Sequence, residues 1–120
     1  MFSKNKIGVM QGRLLHKYNN RFQAHPVGYW QEEFPLAKKL GLDCIEFILD
    51  LNDISLNPLM SPDGLEEIKK LTNQTNIGIH TICADYLMEC PLHSADKSIA
   101  AQAQKILLKL LKASAELGVT

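Results

Sequence analysis

Hydrophobic positions in this chain form three short runs, each followed by a longer segment with helical spacing. The runs are Ile7-Gly8-Val9-Met10, Cys44-Ile45-Glu46-Phe47-Ile48-Leu49 and Ile77-Gly78-Ile79-His80-Thr81-Ile82. They are continuous rather than alternating, which is typical of parallel strands that are covered on both faces. The pattern therefore predicts three strands of one parallel sheet, separated by helices.

Each predicted helix carries its own start or stop signals. The first contains Pro35, which predicts a late start or a kink, and it ends at Gly41. The second begins at the N-cap Ser61, which is followed by a proline. The third is predicted to be capped by Ser94 and to end at Gly118. Its apolar stripe comprises Ile99, Ala103, Ile106, Leu107, Leu110 and Leu117.

Composition indicates an ordinary globular chain. Its 120 residues are 46% hydrophobic, which is enough for one core, and 13 basic residues balance 13 acidic ones without a basic run. Neither nucleic acid nor an anionic membrane surface is therefore an expected partner. No apolar stretch approaches the roughly 20 residues of a bilayer span. Three cysteines and an N-terminus without an apolar signal region predict reduced thiols and a cytoplasmic protein.

Side-chain alternation divides each predicted strand into two faces. One face is uniformly bulky and would meet the helices. The other begins with a small residue in every strand and ends with a longer one: Gly8, Cys44 and Gly78, then Met10, Glu46 and His80. A tapered barrel interior with functional groups near its mouth would show this pattern. Strict alternation places Thr81 on the opposite, bulky face.

Glu46 and His80 are the leading candidates for ligand contact. An ionised carboxylate in an apolar strand is costly without a partner or water, so Glu46 either contacts substrate hydroxyls or pairs with a nearby Lys or Arg. His80 is expected at a similar height one strand away, within hydrogen-bond reach of Glu46. Imidazole suits proton transfer, hydroxyl binding and metal ligation, and the alternative is a core histidine bonded to backbone.

The loops after the first and third strands add weaker candidates. Gly12 permits a tight turn between Gln11 and Arg13, and the guanidinium suits a phosphate or carboxylate, although a surface ion pair explains it equally well. Asp85 and Tyr86 open the loop after the third strand, where they can bind a polyol or form a solvated turn. Long loops at strand C-terminal ends commonly hold ligands in α/β folds.

A structural zinc site is a further possibility in the same region. The pairs His80-x-x-Cys83 and Cys90-x-x-His93 have spacings found among zinc ligands. An odd separation turns His80 and Cys83 to opposite faces of a continuous strand, which weighs against this site.

Four segments together resemble the sugar-phosphate isomerases/epimerases of the xylose isomerase-like (β/α)8 barrel superfamily. They are Ile7-Gly8-Val9-Met10-Gln11-Gly12-Arg13-Leu14, Glu32-Glu33-Phe34-Pro35-Leu36-Ala37, Leu40-Gly41-Leu42-Asp43-Cys44-Ile45-Glu46-Phe47 and Ile79-His80-Thr81-Ile82-Cys83-Ala84-Asp85-Tyr86. The resemblance covers the N-terminal third of a family member. It implies an α/β fold, a partial TIM barrel of the first three β/α units (β1α1β2α2β3α3) over residues 1–120. A fourth strand is expected to begin at about Val119, which leaves the barrel incomplete at the C-terminus.

The resemblance also implies chemistry. Family members isomerise or epimerise a ketose or ketose phosphate beside a divalent metal (Mn, Mg, Co or Zn), held by carboxylates and a histidine from later strands. No metal is expected in this chain alone, which is expected to be inactive by itself, and no catalytic residue is assigned. The substrate-binding side of the pocket carries over to Glu46, His80, Arg13, Gln11, Asp85 and Tyr86.

Two other functions remain open. The same superfamily contains endonuclease IV-like abasic-site nucleases, but neutral charge and the lack of a basic loop count against a nuclease. Alternatively, the chain is a non-catalytic module. A three-stranded parallel sheet has two open edges, which predicts self-association.

Overall fold

Three parallel strands lie side by side in the order β1-β2-β3 in the computed structural model, which describes residues 5–119. The strands are β1 (Gly8–Met10), β2 (Cys44–Ile48) and β3 (Ile82–Cys83). Gly8 pairs with Cys44 and Met10 with Glu46 in a parallel register. The sheet and the alternation of strands with helices confirm the α/β class and the arrangement of a partial TIM barrel.

Helices follow each strand. They are α1 (Glu33–Lys39), α2 (Pro62–Thr75), the short α3 (Tyr86–Glu89) and the long α4 (Lys97–Leu117). Single 3-10 turns lie at Trp30–Glu32, Ile54–Leu56 and Pro58–Met60. The sequence pattern did not predict α3, because a four-residue helix is too short to show a helical period.

Local end signals explain most helix boundaries. The Ser61 hydroxyl accepts a hydrogen bond from the N–H of Gly64 at 3.0 Å, as an N-cap does. Gly41 and Gly118 have φ angles of 77° and 73°, the left-handed conformation that terminates helices. The predicted late start of the first helix is confirmed: α1 begins at Glu33, which places Pro35 in its first turn, where no N–H is required.

The cap of α4 differs from the prediction. Asp96, not Ser94, is the N-cap, and its carboxylate accepts hydrogen bonds from the N–H groups of Ser98 (2.9 Å) and Ile99 (3.4 Å). Ser94 instead accepts from the N–H of Asp96 at 3.2 Å. A carboxylate at the positive end of a helix gains more from the dipole than a hydroxyl does, so the acid takes the cap.

The core lies between the sheet and its helices. Its buried members are Trp30, Phe34, Ala37, Ile45, Phe47, Leu49, Leu59, Leu65, Ile68, Ile77, Ile79, Tyr86, Ile106, Leu110 and Ala113. Ile45 and Phe47 of β2 point into it, as the bulky face was predicted to do. On the opposite face of the sheet, which we call the lining face, Gly8 and Thr81 are exposed.

Two predictions touch the chain ends. Part of the N-terminal segment on which the absence of a signal peptide was argued lies outside the described residues, and so does all of the strand expected from about Val119 except Val119 itself. Within residues 5–119 no helix is both long and apolar enough to cross a membrane.

Candidate functional site

Glu46 lies half-buried in a shallow groove on the lining face. The groove has a volume of about 300 Å³ and is lined by Gly8, Val9, Met10, Cys44, Glu46 and Thr81. A Cβ atom at Gly8 would lie 2.5 Å from the Cys44 sulfur, so only glycine fits beside that thiol. Gly8 and Cys44, the small residues that begin β1 and β2, therefore form the floor of the groove, and Glu46 supplies its charge.

Thr81 is the hydrogen-bond partner of Glu46. Its hydroxyl donates to the Glu46 carboxylate at 2.5 Å. Among the residues that the structure describes, no Lys or Arg forms an ion pair with Glu46, so the strand-end ion-pair interpretation has no support. The hydrogen bond that the sequence suggested between Glu46 and His80 is likewise not found within residues 5–119.

The prediction that Thr81 lies on the helix-facing side is wrong, because the third strand contains a β-bulge. The Ile45 N–H bonds to the Gly78 carbonyl at 3.0 Å. The next such N–H on β2, that of Phe47, bonds to the Thr81 carbonyl at 3.2 Å. An unbroken parallel ladder would advance two residues on each strand between these contacts, whereas the third strand advances three. The extra residue returns Thr81 to the lining face.

His80 also projects from the lining face. Its ring covers Gly78, and a Cβ at Gly78 would lie 2.9 Å from the His80 Nε2 atom. Gly78 bridges to Cys44, whose side chain lines the groove. Nε2 has no hydrogen-bond partner within residues 5–119. His80 and Glu46 thus share a face, as predicted, but are not bonded to each other.

A second polar group lies at the C-terminal edge of β1 and β2, where sequence reasoning found only Gln11. We call it the buried polar cluster: Gln11, His25, Glu33, Asp50 and Asn57, all at most 5% exposed. Gln11 was predicted to contact substrate. Its Oε1 atom accepts from the Ile48 N–H at 2.9 Å and lies 3.3 Å from His25 Nδ1. Both contacts of this oxygen are within the protein, and they hold the loop that contains His25 against β2.

Glu33 fastens the turn after β1. Its carboxylate accepts hydrogen bonds from the N–H of Gly12 (2.8 and 3.0 Å) and from that of Leu14 (3.0 Å). Gly12 has a φ of 93°, and a Cβ there would lie 2.1 Å from the Phe22 carbonyl oxygen, so glycine is required. Burial raises the pKa of Glu33, and the two N–H donors oppose that shift.

His25 and Asp50 complete the cluster. The Asp50 carboxylate accepts from the His25 backbone N–H at 3.0 Å, and the His25 ring lies 5.3 Å from that of Phe47. Burial lowers the pKa of His25 from 6.5 to about 4, so the imidazole is neutral at pH 7. Burial raises the pKa of Asp50, opposed by the His25 N–H and by Arg21.

The sequence contained signals for two of these residues, Glu33 and Asp50. Glu33 stands four residues before Ala37, which places it on the core face of the first helix. Asp50 directly follows the second strand, where α/β folds keep polar groups. Nothing local marked His25, because its partners are 14 and 25 residues away along the chain.

The remaining predicted residues are spread apart. Arg13 is exposed, and its guanidinium lies 3.5 Å from the Gln23 side-chain oxygen. Asp85 is half-buried and accepts from the Cys83 thiol at 3.2 Å; burial, followed by this contact, raises the pKa of Cys83 to about 11. Tyr86 is 2% exposed within the core. The structure brings none of these three to the lining of the Glu46 groove.

The described part of the chain contains no metal centre. Within residues 5–119 no three His, Cys, Asp or Glu side chains are placed to hold a metal ion. The zinc spacing noted in the sequence therefore has no matching cluster there.

Comparison with known proteins relates the chain to sugar-phosphate epimerases. It is 29% identical over 99 residues to L-ribulose-5-phosphate 3-epimerase UlaE of Escherichia coli (strain SMS-3-5 / SECEC), covering 81% of this chain and 35% of that protein. It is 28% identical over 91 residues to the putative L-ribulose-5-phosphate 3-epimerase SgbU of Escherichia coli K12, covering 75% and 32%. UlaE of Salmonella typhimurium is 29% identical over 99 residues. No family model matches the chain.

The chain spans about a third of the length of these relatives. The similarity agrees with the sugar-phosphate epimerase kind of enzyme implied by the sequence motifs, at low identity. The matched part corresponds to a minority of each relative.

Proposed function

We propose that this chain is the N-terminal portion of a xylose isomerase-like barrel that isomerises or epimerises a ketose phosphate. Two findings support the proposal: the three parallel β/α units, and the similarity to L-ribulose-5-phosphate 3-epimerases. The observation that carries it is the placement of Glu46. Its carboxylate stands in an open groove on the face that would line a barrel, without an ion-pair partner among the described residues.

The chemistry of that groove suits a polyol. A carboxylate oxygen accepts hydrogen bonds from sugar hydroxyls, and such charge-assisted bonds are stronger than neutral ones. The divalent metal that the sequence resemblance implies would have to be held by residues of later strands, where it would supply Lewis-acid chemistry. Glu46 then has a binding and orienting role within this chain. His80, on the same face, is the second candidate for substrate contact.

Ligand titration of the purified chain tests this role. L-Ribulose 5-phosphate is expected to shift amide resonances around Glu46 and Thr81, because hydroxyls that reach the groove change the local field. Glu46→Gln should weaken binding about tenfold, since a neutral amide replaces a charged acceptor. The matched control is Glu66→Gln, which removes a carboxylate paired with Lys69 on the surface of α2.

Binding that Glu46→Gln leaves unchanged while the shifts map elsewhere would count against the proposal. Turnover of L-ribulose 5-phosphate by this chain with Mn²⁺ or Mg²⁺ would instead contradict the expectation that the chain is inactive by itself, because it would show that the metal ligands lie within these residues.

We further propose that the chain self-associates. The outer edges of β1 and β3 are not paired with another strand among the described residues, and the lining face is open. Leu108 and Leu111 on α4 are 61% and 57% exposed. Such edges and apolar surfaces favour association. Light scattering coupled to size-exclusion chromatography should give a mass above 13.5 kDa. A monomer that melts cooperatively would contradict this.

A further inference from the structure

The bulge in the third strand leaves the groove with two polar groups in a fixed relation. Thr81 is exposed and Glu46 half-buried, so both are accessible from the lining face. The Thr81 hydroxyl donates its single hydrogen to Glu46 Oε2 at 2.5 Å, so it has no hydrogen left to donate to a ligand. What remains for a ligand is therefore a set of acceptors: the lone pairs of Thr81 Oγ1 and the Oε1 atom of Glu46, which has no hydrogen-bond donor within residues 5–119.

Two neighbouring acceptors of this kind match two neighbouring hydroxyl donors. A ketose phosphate offers adjacent hydroxyls on consecutive carbons, which can each donate one hydrogen bond. A metal ion is the other ligand that acceptors attract, but no third His, Cys, Asp or Glu side chain completes a metal site within residues 5–119. Met10 and Cys44 also line the groove, and their side chains suit the carbon skeleton of a sugar.

We propose that Thr81 is a positioning residue: it holds the Glu46 carboxylate so that the pair binds a vicinal diol of the sugar. This rests on the proposed function and narrows it to one feature of the substrate. Without the hydroxyl of Thr81, the Glu46 side chain would rotate freely above the groove, and binding would have to restrict it. The bulge is what makes the contact possible, because regular alternation would turn Thr81 towards the helices.

The test compares Thr81→Val with Thr81→Ser. Valine keeps the branched shape but lacks the hydroxyl, whereas serine keeps the hydroxyl. Affinity is measured for L-ribulose 5-phosphate, for its 3-deoxy analogue, and for inorganic phosphate alone. We expect Thr81→Val to weaken binding of the ribulose phosphate about tenfold and to remove its advantage over the deoxy analogue. Thr81→Ser should stay within about twofold of wild type. Binding of inorganic phosphate should not change.

A second measurement needs no sugar. The side-chain carboxyl carbon of Glu46, labelled with ¹³C and observed at pH 8, should change its chemical shift in Thr81→Val and recover in Thr81→Ser. Unchanged shifts in Thr81→Val would overturn the positioning role, whether or not the sugar binds. Wild-type binding that Thr81→Val leaves intact would overturn the diol assignment. Failure of wild type to bind any sugar phosphate would refute both the diol assignment and the proposed function, while the carbon shift still decides the positioning role.

Discussion

Glu33→Ala is expected to lower the free energy of unfolding by about 3 kcal/mol at pH 7. The substitution removes the acceptor of the buried Gly12 N–H and of the partly buried Leu14 N–H, beside a Glu33 side chain that has no exposure. Each unsatisfied buried donor costs about 1–3 kcal/mol, and the vacated volume adds to the loss. Removing a buried charge offsets part of this, because burial raises the pKa of Glu33 and so disfavours its ionised form.

Urea unfolding at pH 7 measures the effect, with Glu32→Ala as the matched control. Glu32 is exposed and adjacent, so its loss should change stability by less than about 0.5 kcal/mol. Glu33→Gln should fall between the two, because one oxygen can still accept while the new amide group faces a donor. If Glu33→Ala were as stable as Glu32→Ala, the carboxylate would not be fastening the turn. If the alanine variant fails to fold, the glutamine variant still gives a value.

The sequence predicted the features that depend on local spacing. Ser61 caps α2 and Gly41 terminates α1 because those signals act within one helical turn. The second strand was found because its apolar run is continuous. Contacts between distant segments were not predictable in the same way. Glu33 lies 21 residues from Gly12 along the chain, and no pattern near Gly12 indicates that the turn after β1 is bound by a carboxylate.

Thr81 shows the same limit within a strand. Alternation assigned it to the wrong face because a bulge is set by pairing with β2, which a single segment does not encode. The prediction that Glu46 lies on the lining face is correct because β2 pairs with β1 without interruption. The candidate site was therefore predicted where the ladder is regular. Its actual hydrogen-bond partner was missed where the ladder is irregular.

Lowering the pH from 7.5 to 4 is expected to remove about 3 kcal/mol of stability through the protonation of His25 alone. Its pKa is about 4 in the folded chain, against 6.5 for an ordinary histidine. The unfolded chain therefore takes up this proton at a higher pH than the folded chain does. The contribution is fully present above pH 6.5, is lost progressively between 6.5 and 4, and does not change further below that range. The ring is 3% exposed beside Trp30 and Phe47, which disfavours its charged form.

Carboxylates of the cluster act in the opposite direction. Burial raises the pKa of Glu33 and Asp50, so the folded chain binds their protons more tightly than the unfolded chain does. Their contribution favours folding at low pH and is lost as the pH rises. The pH dependence of wild-type stability therefore combines a contribution from His25 with an opposite one from the two carboxylates. A variant is needed to separate the two contributions.

His25→Asn isolates the histidine. The asparagine amide can still donate to Gln11 Oε1, as Nδ1 does, but it does not titrate. The difference in unfolding free energy between wild type and variant, from urea titrations at pH 7.5 and pH 4, should change by about 3 kcal/mol, with wild type losing more. His16→Asn, at an exposed position, should retain the wild-type slope. Unfolding free energies that fall equally with pH in wild type and His25→Asn would show that the His25 ring is not buried. A steeper fall in wild type is the result expected for an imidazole that folding keeps neutral.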